Sequence, residues 1–165
     1  MKLLKRTALC MLSSVCLLSQ SAVAFADAKG TWKYEEGSWK HYNAAGEKSI
    51  GWILSGENWY YLDAASKVMK TGWHRDSDGH WYFLSTAEGA ELGKMLTGWV
   101  WVDGYCYYLK ENAPNRGSLY IDTETPGGYH VDKEGRWVEK EGTPVYQSGK
   151  GLSSKSPAKE EKAAE

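Results

Sequence analysis

Cysteine is scarce. Of the 3 Cys in the 165-residue chain, Cys10 and Cys16 lie in the N-terminal segment, leaving Cys106 alone in the rest. That excludes an internal disulfide framework and a Cys-x-x-Cys metal site. Charge of one sign is also lacking. Lys+Arg 20 against Asp+Glu 21 gives a net charge of −1, so the basic patch that nucleic-acid binding needs is missing. Mean hydropathy is −0.57, and no apolar run of bilayer length follows the N-terminus, which excludes a polytopic membrane protein. His41, His74, His80 and His130 show no ligand spacing and read as surface or strand residues. Gly-x-Ser-x-Gly and His-Glu-x-x-His are both absent, so no recognised catalytic framework is visible. Aliphatic residues are few as well: 8 Leu, 6 Val and 3 Ile from Asp27 onward, against 9 Trp, 11 Tyr and Phe83. An ordinary core is chiefly aliphatic, so this chain must be organised in another way.

The N-terminal segment is set aside first. Lys2, Lys5 and Arg6 precede an apolar stretch over Thr7 to Leu18, and Ala24-Phe25-Ala26 offers a small-x-small cleavage site. Residues 1–26 are expected to be a secretory signal peptide. Its removal takes the net charge from −1 to −4.

What is abundant is also periodic. Gly51-Trp52 runs to Trp59-Tyr60-Tyr61-Leu62, Gly72-Trp73 to Trp81-Tyr82-Phe83-Leu84, and Gly98-Trp99 to Cys106-Tyr107-Tyr108-Leu109. A looser copy runs from Gly30-Thr31-Trp32 to Trp39-Lys40-His41-Tyr42. The linkers match too, since Met69-Lys70-Thr71-Gly72-Trp73 answers Met95-Leu96-Thr97-Gly98-Trp99. Each copy reads as a β-hairpin: a short strand, a polar turn such as Asp103-Gly104, then a strand of high β-propensity. Asp76-x-Asp78-Gly79 reads as such a turn and not as a calcium loop, for want of the downstream Glu. An isolated hairpin is marginal in water, so the hairpins are expected to stack and bury aromatic faces between neighbours. The fold class is therefore all-β, a solenoid of stacked β-hairpins over residues 27–145. Repeats fall near 30–50, 51–71, 72–97, 98–121 and 122–138, the last a degenerate closing hairpin with a Lys133-Glu134-Gly135 turn. Residues 146–165 are polar and are expected to be a disordered tail.

This pattern of Gly-Trp, turn, Trp-Tyr-Tyr-Leu and Met-x-Thr-Gly-Trp resembles the cell-wall-binding (choline-binding) repeats of Gram-positive surface proteins. Those are related in turn to glucan-binding and clostridial toxin repeats. The resemblance implies ligand sites between consecutive hairpins, each a cage of three aromatics with a Met nearby. A quaternary ammonium suits such a cage, because it donates no hydrogen bond and is held by the negative faces of rings. Carried onto this chain, the first cage would use Trp32, Trp39 and an aromatic near Tyr61. The second would use Trp52, Trp59 and the region of Phe83 with Met69 alongside, and the third Trp73, Trp81 and the region of Tyr108 with Met95 alongside. A fourth is doubtful because Cys106 stands where the second Trp belongs, and the long Asn112–Gly117 connection stands in the way of the next hairpin.

Alternatives remain open on the residues alone. The Trp and Tyr rows are also what an inter-repeat core would look like, and Met69 and Met95 also suit gap-filling. Cys106 reads as a small apolar substitute for Trp or as an exposed thiol. The resemblance implies a secreted, wall-associated, non-catalytic protein without metal or cofactor, whose partner is choline-bearing teichoic acid. The alternative is another wall polysaccharide, bound by aromatic stacking as in a glucan-binding module.

Overall fold

The computed structural model describes residues 30–155. The expected signal peptide and residues 156–165 lie outside the described residues. Five antiparallel hairpins follow one another along the chain. They pair β1 (Thr31–Glu35) with β2 (Ser38–Tyr42), β3 (Gly51–Ser55) with β4 (Asn58–Leu62), and β5 (Gly72–Arg75) with β6 (Trp81–Leu84). β7 (Gly98–Val102) then pairs with β8 (Tyr105–Leu109), and the short β9 (Thr123–Glu124) with β10 (His130–Val131). Each pair is its own two-stranded sheet. The fold is all-β, with one short 3₁₀ turn at Gly89–Glu91 and no α-helix among the described residues.

Local chemistry sets the units. Asp103 and Gly104, both at positive φ, form the tight connection that matches strand twist between β7 and β8. In the links, one polar side chain folds the chain back each time. Asn43 Oδ1 accepts from the backbone N–H groups of Ala45 and Glu47, Asp63 Oδ1 from those of Ala65 and Ser66, and Asp132 Oδ1 from those of Glu134 and Arg136. The expected closing hairpin differs in detail. Its turn lies between β9 and β10, where Gly128 N–H donates to the Thr125 carbonyl. Lys133-Glu134-Gly135 belongs instead to the following link, the counterpart of Asn43–Gly46.

Stacking is carried by two sets of contacts. Side-chain alternation puts Trp52 and Leu54, with Trp59 and Tyr61 opposite them, on the face toward the next hairpin, and Ile53, Tyr60 and Leu62 on the face toward the previous one. Phe83, Val102 and Leu109 are fully buried, with Trp73, Leu96, Val100, Tyr107, Leu119 and Leu152 packed against them. Single backbone hydrogen bonds then tie each link to the hairpin before the one it follows. Met69 N–H donates to the Trp39 carbonyl, Met95 to Trp59, Leu119 to Trp81 and Trp137 to Cys106, at 2.7–2.9 Å.

The polar tail does not begin at residue 146. Leu152 forms a parallel bridge with Val102, and its N–H donates to the Trp101 carbonyl at 2.9 Å. Thr86 Oγ1 donates to the Ser153 carbonyl at 2.7 Å, and Asp103 Oδ1 accepts from Ser154 N–H at 3.0 Å. Tyr146 packs on Tyr105, with ring centroids 4.9 Å apart. The polar composition concealed two apolar anchors, Tyr146 and Leu152, and the unpaired edge of β7–β8 gives the backbone between them its hydrogen bonds.

Candidate functional site

The sites lie between hairpins, and one ring contact recurs at each step of the stack. The first Trp of a hairpin meets the edge of a Tyr from the next. Trp32–Tyr60, Trp52–Tyr82 and Trp73–Tyr107 have centroids 5.0, 4.9 and 4.9 Å apart and interplanar angles of 63°, 66° and 70°. These near-perpendicular pairs suit the ring quadrupoles, and they leave a corner that the second Trp closes.

The first cage is a cavity of about 210 Å³ lined by Trp32, Trp39, Tyr60, Met69, Gly89 and Leu92. The third, of about 350 Å³, is lined by Trp73, Trp81, Tyr107, Leu119, Ile121, Lys133 and Glu134. In the second, Trp52, Tyr82 and the Met95–Trp59 hydrogen bond repeat the ladder of the other two. The first and third cages thus draw two Trp from one hairpin, a Tyr from the next, and a Met or Leu from the link after that.

The geometry places five of the expected site residues differently. The closing ring is Tyr60 and not Tyr61, Tyr82 and not Phe83, and Tyr107 and not Tyr108. In each case the expected residue is displaced by one position and so points to the opposite face. Tyr61 packs on its own Trp52 at 5.2 Å, Phe83 on Trp73 at 4.9 Å and Tyr108 on Trp99 at 5.0 Å. The methionines are displaced by one site. Met69 lines the first cage and Met95 stands at the second, while Leu119 takes that place in the third.

The long inter-repeat connections were missed as functional parts. They wall the groove. A Cβ on Gly93 would strike the Met69 sulfur, and one on Gly117 would strike the sulfur of Met95. Both glycines also sit at positive φ, so the backbone of the insertion passes against each Met with no side chain between. The departure from a regular Trp spacing was the available signal.

Exposure separates the two Trp in the first and third hairpins, whereas Trp59 is half-buried like Trp52. Trp39 and Trp81 are more than a third exposed, whereas Trp32, Trp52 and Trp73 are half-buried. The first Trp is also a strut between hairpins: Trp32 Nε1 donates to Ser55 Oγ at 3.1 Å and Trp52 Nε1 to Asp76 Oδ2 at 2.8 Å. Behind Trp52, the buried His74 ring lies 3.8 Å from Tyr61. Burial holds its pKa below the ordinary histidine value, so the neutral form sits there. Cys106 is buried, and desolvation pushes its thiol up to about 11. The exposed-thiol alternative therefore fails.

The chain is similar to known proteins in its repeats and fold. The profile of the cell wall binding repeat matches residues 50–65, 71–87 and 97–112. Choline binding protein F from Streptococcus pneumoniae, solved in the presence of a tetrasaccharide-pentapeptide peptidoglycan analogue, is 38% identical with a TM-score of 0.55 over 66% of this chain and 33% of that one. A second crystal form of the same protein gives the same values. The multimodular pneumococcal cell wall endolysin from phage Cp-1, solved with choline, is 26% identical with a TM-score of 0.44 over 74% of this chain and 34% of that one. The chain thus spans about a third of the length of these solved structures. No curated protein sequence matches it. Three of its hairpin repeats thus match the cell wall binding repeat, and its stacked hairpins resemble those of a choline binding protein.

Proposed function

We propose that this is an exported, non-catalytic protein that attaches to the cell wall by binding choline on teichoic acids, through the cages at Trp32–Trp39–Tyr60, Trp52–Trp59–Tyr82 and Trp73–Trp81–Tyr107. The observation that carries the reading is the threefold recurrence of one ring arrangement, built on edge-to-face Trp–Tyr pairs. A ring face attracts a cation that cannot hydrogen-bond, and a half-desolvated box of such faces selects quaternary ammonium over the more strongly hydrated primary ammonium. The lining of the first cage is apolar apart from the Tyr60 hydroxyl and the indole N–H groups, which is poor in the hydrogen-bonding crown that a sugar needs. Choline on a teichoic acid is carried on phosphate. Arg75, across the ladder from Trp81 with its guanidinium 6.0 Å from that ring, supplies a positive rim for such a phosphate at the third cage.

The test is retention of the full-length protein on a tertiary-amine resin. Retention with elution by free choline is the expected result. Elution by glucan and not by choline would replace this reading with a glycan-binding one.

A further inference from the structure

The fourth hairpin lacks the second Trp of the motif, and Cys106 stands in its place. The rings there are rearranged, not lost. Across the ladder from Cys106 stands Trp101, where the second hairpin has Leu54 opposite Trp59. The link residue whose N–H donates to the Cys106 carbonyl is Trp137, in the position of Met69, Met95 and Leu119. The next hairpin supplies Tyr129, one residue before β10, as Tyr60 and Tyr107 do for the cages before it. Trp99, Tyr129 and Trp137 stand around a common space. Their centroids are 5.6 Å (Trp99–Tyr129), 5.9 Å (Tyr129–Trp137) and 6.1 Å (Trp99–Trp137) apart, at angles of 90°, 89° and 63°. The cavity they form with Trp101 and Cys106 measures about 230 Å³, close to the size of the first cage. Trp99 and Tyr129 are 40% and 49% exposed, so the box opens to solvent. Tyr129 and Trp137 lie beyond the last segment matched by the repeat profile, which ends at residue 112.

We infer that Trp99, Tyr129 and Trp137 form a fourth binding site for a quaternary ammonium group, in which Trp137 replaces the ring missing at Cys106. This rests on the choline reading of the other cages and extends it to a ring set that the repeat motif does not encode. Three mutually inclined rings line one small volume, and an exposed ring face attracts a cation with no hydrogen to donate. The neighbouring cleft, which shares Tyr129 and Trp137, carries Asp122, Asp132, Glu139 and Glu141 with Lys140 among its lining residues. Its net negative charge favours the same sign of ligand. The Lys150 ammonium, 3.8 Å from the Trp101 ring centroid, already engages that ring. The ligand is therefore assigned to the other three rings.

The experiment titrates full-length protein with choline chloride while following the indole ¹⁵N–¹H signals and counting bound choline. The expected result is four choline per chain, with saturable shifts at Trp99 and Trp137. The uncharged isostere 3,3-dimethylbutan-1-ol should leave those shifts largely absent. Trp137→Leu should reduce the count to three and abolish the Trp99 response while Trp39 and Trp81 still respond. Trp137→Tyr, which keeps a ring, should retain the site. An indifferent Trp137 indole in the unaltered protein, with Trp39 and Trp81 responding, overturns this inference alone and needs no variant to fold. An unchanged Trp99 response in Trp137→Leu does the same. If no tryptophan responds, the choline reading of the whole chain falls with it.

Discussion

At the scale of single residues, the rings between hairpins divide into struts that hold the stack together and rings proposed to face the ligand. Trp59 belongs to the second strand of the most regular repeat, and its carbonyl accepts from Met95 N–H. Trp59→Leu therefore keeps bulk and backbone bonding but removes a ring quadrupole. A ring facing a partly desolvated cation contributes roughly 0.5–2 kcal/mol, and 1.4 kcal/mol is tenfold in affinity. The second cage should weaken by about 2- to 30-fold in a choline titration while the unfolding midpoint moves little. Unchanged binding at every site in a folded variant would mean that Trp59 is core. Cys106 gives a separate check. A buried thiol held at about 11 is almost wholly protonated at pH 8, and only the thiolate reacts. Iodoacetamide should label it slowly in the folded protein and rapidly in denaturant, and fast labelling of the native chain would show that the β7–β8 face is open.

At the scale of the hairpin, strand parity decides function. Tyr82 and Phe83 are neighbours in β6, yet Tyr82 faces Trp52 of the previous hairpin and Phe83 lies fully buried against Trp73 of its own. Phe83→Ala should cost about 3–5 kcal/mol of stability. Tyr82→Leu should instead act mainly on choline affinity at the second cage, as read by the Trp52 and Trp59 indole signals. The reverse pattern would exchange their roles. This parity was legible in the residues: alternation alone places Trp59 with Tyr61 and Tyr60 on the opposite face. What misassigned Tyr61, Phe83 and Tyr108 was the absence of any sequence signal for which face meets which neighbour. The hairpins themselves were plain, because turn residues and aromatic strands recur in register. The walls at Gly93 and Gly117 and the docking of Leu152 were not, since each is a contact between segments far apart in sequence. His74 adds a pH dependence at this scale. Its folded pKa is lowered by burial, and the buried His41 is shifted the same way for the same cause. The unfolded chain then binds more protons than the folded one below about pH 6.5. Stability is fully present above that pH and declines as the pH falls toward the folded values. The thermal midpoint should drop between pH 7 and 5, and His74→Gln should flatten that slope. An equal slope in the variant would place the titration elsewhere.

At the scale of the whole molecule, the array behaves as a stack of nearest neighbours closed by its own C-terminal segment. Units of such arrays contribute roughly additively, each stabilised by the interfaces on either side. The last hairpin is short, with two residues in each strand, and has little area with which to cover the fourth. The segment from Tyr146 to Lys155 makes up that deficit. It runs along β7–β8, inserts Leu152 against the Phe83–Val102–Leu109 cluster, and bonds to Thr86 and Asp103. The backbone of Gly151 lies so close to the Trp101 carbonyl that a Cβ there would overlap it. Leu152→Ala should therefore cost about 1–3 kcal/mol, the range expected for a mostly buried aliphatic side chain. Truncation before Tyr146 should cost more, because it also removes the hydrogen bonds to the Trp101 carbonyl and the Asp103 side chain. The loss should be local. Amide exchange should quicken in β7 and β8 on truncation, while β1 to β4, two interfaces away, keep their protection. Choline binding at the first cage should survive, because none of its lining residues touches the removed segment. Equal acceleration along the whole array would show that it unfolds as one cooperative unit, and no change in β7–β8 would show that the segment is not structural.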